Sequence, residues 1–176
     1  MKKKETKVIS IQSLLTDKDF FVQEALNNKI FIYPTDSIYI GTLYTPQNLK
    51  TINHIKQRNE NQICSIIAPS FEWIKSKFPE FSEKQFYYFQ EKYKQITIIF
   101  DYNFPGVRII KHPFQEFVKF LQKPFITTSV NTITKPIKNF SETPAEILKY
   151  VDYFVDSTLD HPSVIIDMVS NKIITR

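Results

Sequence analysis

Apolar and polar positions along this chain fall into short blocks that switch between a period near 3.6 and a period of two. Residues 16–28, TDKDFFVQEALNN, put Phe20, Phe21, Ala25 and Leu26 on one face of an amphipathic helix that Thr16 or Asp17 can cap. The same period predicts helices over 47–57, with Leu49, Ile52 and Ile55 inward, and after Pro69, with Phe71, Trp73, Ile74 and Phe78 apolar. It predicts others in SEKQFYYFQEKY, capped by Ser82, over Pro113 to Leu121, and over Pro144 to Tyr150. Between them lie runs rich in β-branched and aromatic residues, which predict strands at 30–33, 38–43, 63–68, 96–100, 107–110, 125–130, 152–156, 163–167 and 172–175. Alternation of the two element types predicts a single α/β layered domain over 1–176 built on a mixed sheet. Residues 1–9, beginning MKKKETK, are expected to form a flexible basic N-terminus.

One block breaks the pattern. The run Ile30 to Tyr33 stops at Pro34, and Thr35, Asp36 and Ser37 follow at once before apolar residues resume. A buried strand ending in a polar tripeptide delivers those side chains to a sheet edge, where open α/β folds bind ligands. About one helix later come Lys56 and Arg58, two apart and so not on a shared helical face. A helix end that splays them around one anion suits them better. Hydroxyls followed by paired cations suggest a small site for an anionic substrate.

Composition narrows the chemistry. With 42% hydrophobic residues the chain can bury a core. No apolar run is long enough to span a bilayer, and no signal core follows the basic start, so a cytoplasmic protein without membrane attachment is expected. The single cysteine, Cys64, sits in ICSII and reads as a buried structural thiol. His54, His112 and His161 lack metal-ligand spacing, and no protein-held metal is expected. There are only two glycines, which excludes a Walker A loop or G-x-G-x-x-G, so any ATP is held by side chains and helix ends. A net charge of +5 is compatible with a nucleotide or nucleic-acid partner. FYYF at 86–89 could stack on bases, but on a predicted helix it reads first as core.

YPTDSIY followed by KQR resembles the YPTDT-x-YGL and K-x-R pattern of the YrdC/TsaC family, the threonylcarbamoyl-AMP synthases. PGVRIIKHP is similar to that family's VR-x-P-x-H-P stretch, TTSVN to its TSAN element, PSVIID to PSTVVD, and the terminal IITR to ILR. The segments occur in the family's order across residues 10 to 176. The resemblance implies the short single-domain form, a YrdC-like twisted mixed β-sheet flanked by helices with a concave ligand groove. It also implies an activity, L-threonylcarbamoyladenylate synthase. L-Threonine, bicarbonate and ATP, with Mg²⁺, give threonylcarbamoyl-AMP and pyrophosphate for N6-threonylcarbamoyladenosine modification of tRNA. A tRNA-modifying threonylcarbamoyl transferase would take the product, and tRNA or double-stranded RNA is a further candidate partner. The alternative is a non-catalytic YrdC-like RNA- or nucleotide-binding protein.

Carried over position by position, the resemblance assigns Lys56 and Arg58 to catalysis and to ATP. It assigns Thr35, Ser65, Arg108, Ser129 and Ser163 to L-threonine, and Asn131 and Arg176, with Lys56 and Arg58, to ATP. Each has a plainer reading. Thr35, Asp36, Ser129 and Asn131 are common turn formers, and Ser65 an ordinary strand serine. Lys56 and Arg58 suit a solvated helix C-terminus. Arg108 could point outward from an edge strand, and Arg176 could be frayed. The pattern also departs from the family's. Gly41 is displaced by one place, so that Ile40 is expected to narrow the threonine pocket. The proline after K-x-R is Asn59, the following P-L pair is Ile63 and Cys64, and the element before the central strand is reduced to YKQIT.

Overall fold

The computed structural model describes residues 5–93, 95–130, 137, 139–159 and 163–175. Its framework is one mixed sheet. In spatial order the strands are β1 (Lys7–Ser10), β8 (Tyr153–Asp156), β2 (Phe31–Pro34), β3 (Ile38–Gly41), β7 (Phe125–Ser129), β4 (Ser65–Ile67), β6 (Val107–Ile109), β5 (Ile96–Ile99), β9 (Val164–Asp167) and β10 (Lys172–Ile174). β1 and β2 both run parallel to β8, as do β4 to β6 and β5 to β9, and the remaining neighbours are antiparallel.

Seven helices among the described residues cover the sheet: α1 (Ile11–Thr16), α2 (Lys18–Leu26), α3 (Pro46–Ile55), α4 (Phe71–Lys77), α5 (Glu83–Lys92), α6 (Phe114–Leu121) and α7 (Ala145–Leu148). The central strands are buried on both faces, so they read as unbroken apolar runs rather than alternating ones. Alternation then sorts their side chains by face. Phe31, Tyr33, Ile67 and Phe125 join Leu14, Phe21, Phe114 and Phe117 under α1, α2 and α6. Tyr33 stacks flat on Phe114, with ring centroids 3.9 Å apart. Ile32, Ile40 and Ile126 join Ile52, Ile55 and Ile147 under α3 and α7. A third cluster gathers Ile66, Ile96, Ile98, Val107 and Ile166 against Ile74 and Phe86 of α4 and α5.

Two expectations change. Lys7–Ile9 are not a flexible tail: Val8 and Ile9 are strand formers, and β1 takes its place beside β8 through four register pairs. The helix expected over 16–28 is α2, over Lys18–Leu26, and an unexpected helix, α1, precedes it over Ile11–Thr16; Asp17 between them caps α2 by position but makes no side-chain capping bond. Ser82 caps α5 as expected, through a reciprocal capping box with Gln85. FYYF divides: Phe86 is buried, whereas Tyr87 and Tyr88 are exposed.

Candidate functional site

The sheet register explains where polar chemistry collects. Paired residues on adjacent strands project to the same face. The pairs Tyr39–Ser129, Thr127–Ser65, Ile67–Arg108 and Arg108–Thr97 therefore share the face that carries Phe125 and Tyr33. On β4 and β7 this face is apolar at Ile67 and Phe125, beneath the helices. Two residues along it turns polar, at Ser65 and Thr127. There a cavity of about 180 Å³ opens, lined by Tyr39, Arg58, Ile63, Cys64, Ser65, Thr97, Arg108, Thr127, Thr128 and Ser129. A second compartment of about 210 Å³ shares Ile63, Cys64, Ser65 and Thr97 with it and continues to Ile99, Tyr102, Phe104 and Ile165. A larger open groove along β1 and α7 holds none of the expected site residues.

Arg58 and Lys56 come from the end of α3. Lys56 is its C-cap, and Gln57 turns left-handed at φ 52°. The Gln57 N–H donates to the His54 carbonyl and the Arg58 N–H to that of Asn53, the crossed pair of a Schellman ending. This turn splays the two cations. The Lys56 ammonium donates to the Ser129 carbonyl at 2.6 Å. Arg58 donates from Nη2 to the Cys64 thiol and to Thr128 Oγ1, both at 3.3 Å, while its buried Nε has no partner. Burial and the neighbouring Arg58 charge lower the Lys56 pKa from its ordinary value. Burial raises that of Cys64, against the pull of Arg58.

The loop after α3 depends on Asn53, which is fully buried. Its amide donates to the carbonyls of Glu60 and Gln62 at 3.0 and 2.7 Å, and its oxygen accepts from the Cys64 thiol. Asn59, which stands where the family has proline, accepts from Asn61 N–H and closes a tight turn. The loop is thus shaped by asparagines instead of proline.

Arg108 is only 2% exposed and lies on β6, which is flanked by β4 and β5. The edge-strand reading is therefore corrected. Its Nη2 donates to Asp36 Oδ1 at 2.7 Å, its guanidinium carbon lies 4.8 Å from the Tyr39 ring centre, and its Nε is buried without a partner. Asp36 is the hub of the PTDS segment. Oδ1 also accepts from Thr35 Oγ1 at 2.8 Å, and Oδ2 accepts from the Tyr39 hydroxyl at 3.1 Å and the Ser163 N–H at 3.2 Å. Burial opposes the charged carboxylate, but the Arg108 charge and these donors outweigh it and hold the Asp36 pKa below the usual value. Desolvation raises that of Tyr39.

Of the residues expected from sequence, Arg58, Ser65, Arg108 and Ser129 line one cavity. Lys56 is tied to its rim through the Ser129 carbonyl. Among the described residues, Thr35 and Ser163 are linked to Arg108 through Asp36, and the Ser163 hydroxyl is buried and unpartnered. Asn131 and Arg176 lie outside the described residues. Ile40 does not narrow the cavity: it packs in the cluster under α3, on the opposite face from Tyr39. The sequence placed Asp36 in the polar tripeptide without giving it a ligand role, and it gave no site role to Tyr39, Asn53, Thr97 or Thr128. A signal existed for the arginines. The chain has twenty lysines and only three arginines, and two of the three wall this cavity. Where any cation serves, the chain uses lysine. Where a planar, always-charged fork is needed, it spends arginine. Among the described residues no group of three or more His, Cys, Asp or Glu could hold a metal ion, and no helix is long and apolar enough to cross a membrane.

This is a mixed-sheet α/β domain whose strand residues and helix end build a small, hydroxyl-lined cavity with two guanidinium groups. A family profile described as "Telomere recombination", Sua5_yciO_yrdC, matches residues 24–176, and the chain belongs to that Sua5/YciO/YrdC family. The fold is that of E. coli YciO, which is 16% identical with a TM-score of 0.71 over 97% of this chain and 94% of that one. A doubly substituted P. abyssi Sua5 is 17% identical with a TM-score of 0.73, over 93% of this chain. P. abyssi Sua5 complexed with L-threonine is 14% identical with a TM-score of 0.69, over 96%. The chain spans just over half of these Sua5 chains, 57% and 56%. No curated protein matches it in sequence.

Proposed function

We propose that the protein is an L-threonylcarbamoyladenylate synthase, a nucleotidyltransferase that joins L-threonine, bicarbonate and ATP in tRNA modification. The observation that carries this reading is the convergence of Arg58, Ser65, Arg108 and Ser129, contributed by a helix end and three strands, on one cavity of amino-acid size. Family membership supports it, as does a relative bound to L-threonine. The reaction needs no protein nucleophile. The threonine amine and bicarbonate form a carbamate with loss of water, and a carbamate oxygen attacks the α-phosphate as pyrophosphate leaves. The protein's task is to orient the reactants and to meet growing phosphate charge with cations. Lys56 and Arg58 supply those cations, with Asn131 and Arg176 as further ATP ligands. Ser65, Arg108, Ser129, Thr35 and Ser163 serve the amino acid, the last two through Asp36. Mg²⁺ enters with the triphosphate. The product would pass to a cytoplasmic threonylcarbamoyl transferase.

The test is pyrophosphate release from ATP, Mg²⁺ and bicarbonate, with L-threonine, with L-serine, and with neither. Release that requires threonine and bicarbonate is the expected result. A folded sample that binds ATP or RNA without such release would favour the non-catalytic reading.

A further inference from the structure

Asp36 faces the cavity residues yet cannot itself be a ligand. Its two oxygens accept four donors: Thr35 Oγ1, Arg108 Nη2, the Tyr39 hydroxyl and the Ser163 N–H. A carboxylate offers about four lone-pair positions, so it has no capacity left for a substrate amine or a metal. Arg108 is the reverse case. It lines the cavity, it is 2% exposed, and its Nε–H is buried with no partner. A buried guanidinium N–H without an acceptor is costly and calls for one that arrives from outside the fold.

We propose that Asp36 is a positioning residue: it holds Nη2 of Arg108 with the guanidinium against the face of Tyr39, fixing the group so that its unpartnered Nε–H meets the carboxylate of the bound amino acid. Three segments far apart in sequence meet at this one side chain, Thr35 to Tyr39, Arg108 and Ser163. Preorganisation of this kind serves a charge-assisted, directional contact, since the planar fork must be presented at a set angle. Asp36 also offsets the Arg108 charge. Arg58, which has no carboxylate partner among the described residues, remains the cavity's uncompensated guanidinium. The two arginines are thereby given different roles, one for a carboxylate and one for phosphate. This division rests on the synthase reading, whereas the grip on Arg108 does not.

The chain's three arginines make the test direct, because a ¹⁵N spectrum of arginine Nε–H groups holds only Arg58, Arg108 and Arg176. In the wild-type chain a resolved, slowly exchanging Arg108 signal is expected, shifting on titration with L-threonine. In Asp36→Asn, whose amide cannot accept on both sides, that signal should broaden or exchange rapidly, and the L-threonine response should weaken about tenfold. In the turnover assay KM for L-threonine should rise by about the same factor, with KM for ATP and kcat changed much less. Tyr39→Phe keeps the ring but removes one of the four donors. It gives a milder version of the same pattern if Asp36→Asn does not fold. An unchanged Arg108 signal in either folded variant overturns the proposal, as does an equal rise of both KM values. A wild-type chain without turnover would sink the synthase reading instead, and the exchange rate of the Arg108 signal would still decide whether Asp36 holds it.

Discussion

At the scale of single residues, the site is a set of buried polar groups whose partners were invisible in sequence. Asp36 reads locally as a turn former because turn chemistry depends on neighbours, whereas its pairing with Arg108 spans 72 residues. Its depressed pKa has a consequence. Below about pH 3.9, the value of an unfolded aspartate, the stabilisation contributed by the pair drains away as pH falls through the lower folded value, and above it the contribution is complete. Melting temperatures measured from pH 3 to 7 should fall at the acid end, and Asp36→Asn should flatten that fall while lowering the plateau. Arg58→Lys should lose about tenfold or more in turnover with little loss of stability, because an ammonium lacks the planar fork that contacts Cys64 and Thr128 through one nitrogen and leaves others for a ligand. Lys56→Ala should abolish turnover and leave the fold intact, as circular dichroism would show. Full turnover in either variant would remove that residue from the machinery. Arg58 and Lys56 were legible because K-x-R sits at a predicted helix end. Asn53 was not, because a buried asparagine inside a helix looks like any polar position until its loop is folded over it.

At the scale of elements, strands and helices were legible wherever periodicity was strong. Boundaries shifted where one residue changes the path, as at Asp17. β1 was missed because its side chains are mostly exposed and the strand it pairs with, β8, lies about 146 residues away. The two glycines show how strand packing sets the site. A Cβ on Gly41 would lie 1.8 Å from the Ile126 carbonyl oxygen, so β3 and β7 can approach only because that position is bare. The displaced glycine is thus required where it stands. Gly41→Ala should cost at least about 3 kcal/mol in urea unfolding, since backbone and not a flexible side chain must move. Gly106 is different. Its Cβ would meet Thr97 Cγ2 at 3.1 Å and Ser65 Oγ at 3.2 Å, both groups at the boundary of the two compartments. Gly106→Ala should cost only about 1 kcal/mol, yet raise KM for the amino acid by pushing Ser65 into the cavity. Unchanged kinetics would show that Ser65 has room to retreat.

At the scale of the whole molecule, one sheet carries three apolar clusters and a cavity that draws on β3, β4, β5, β6 and β7 together. No segment of the chain contains the site, which is why motifs could name its members but not join them. A single shared sheet also predicts cooperative unfolding. Trp73, the only tryptophan, packs against the cluster under α4 and α5. Its fluorescence transition in denaturant should coincide with the far-ultraviolet dichroism of the whole chain. Separated transitions would mean that the two ends of the sheet come apart independently. The lone thiol serves the same scale. Cys64 is 5% exposed, lies in the wall shared by both compartments and touches Arg58. A bulky disulfide reagent added to the native protein has one sulfur to find and must wait for the wall to part. The colour it releases is therefore a clock for the breathing of the site, running without mutation or label. A ligand that seats against Arg58 should slow that clock, and the concentration at which it does so would measure binding in the unaltered chain.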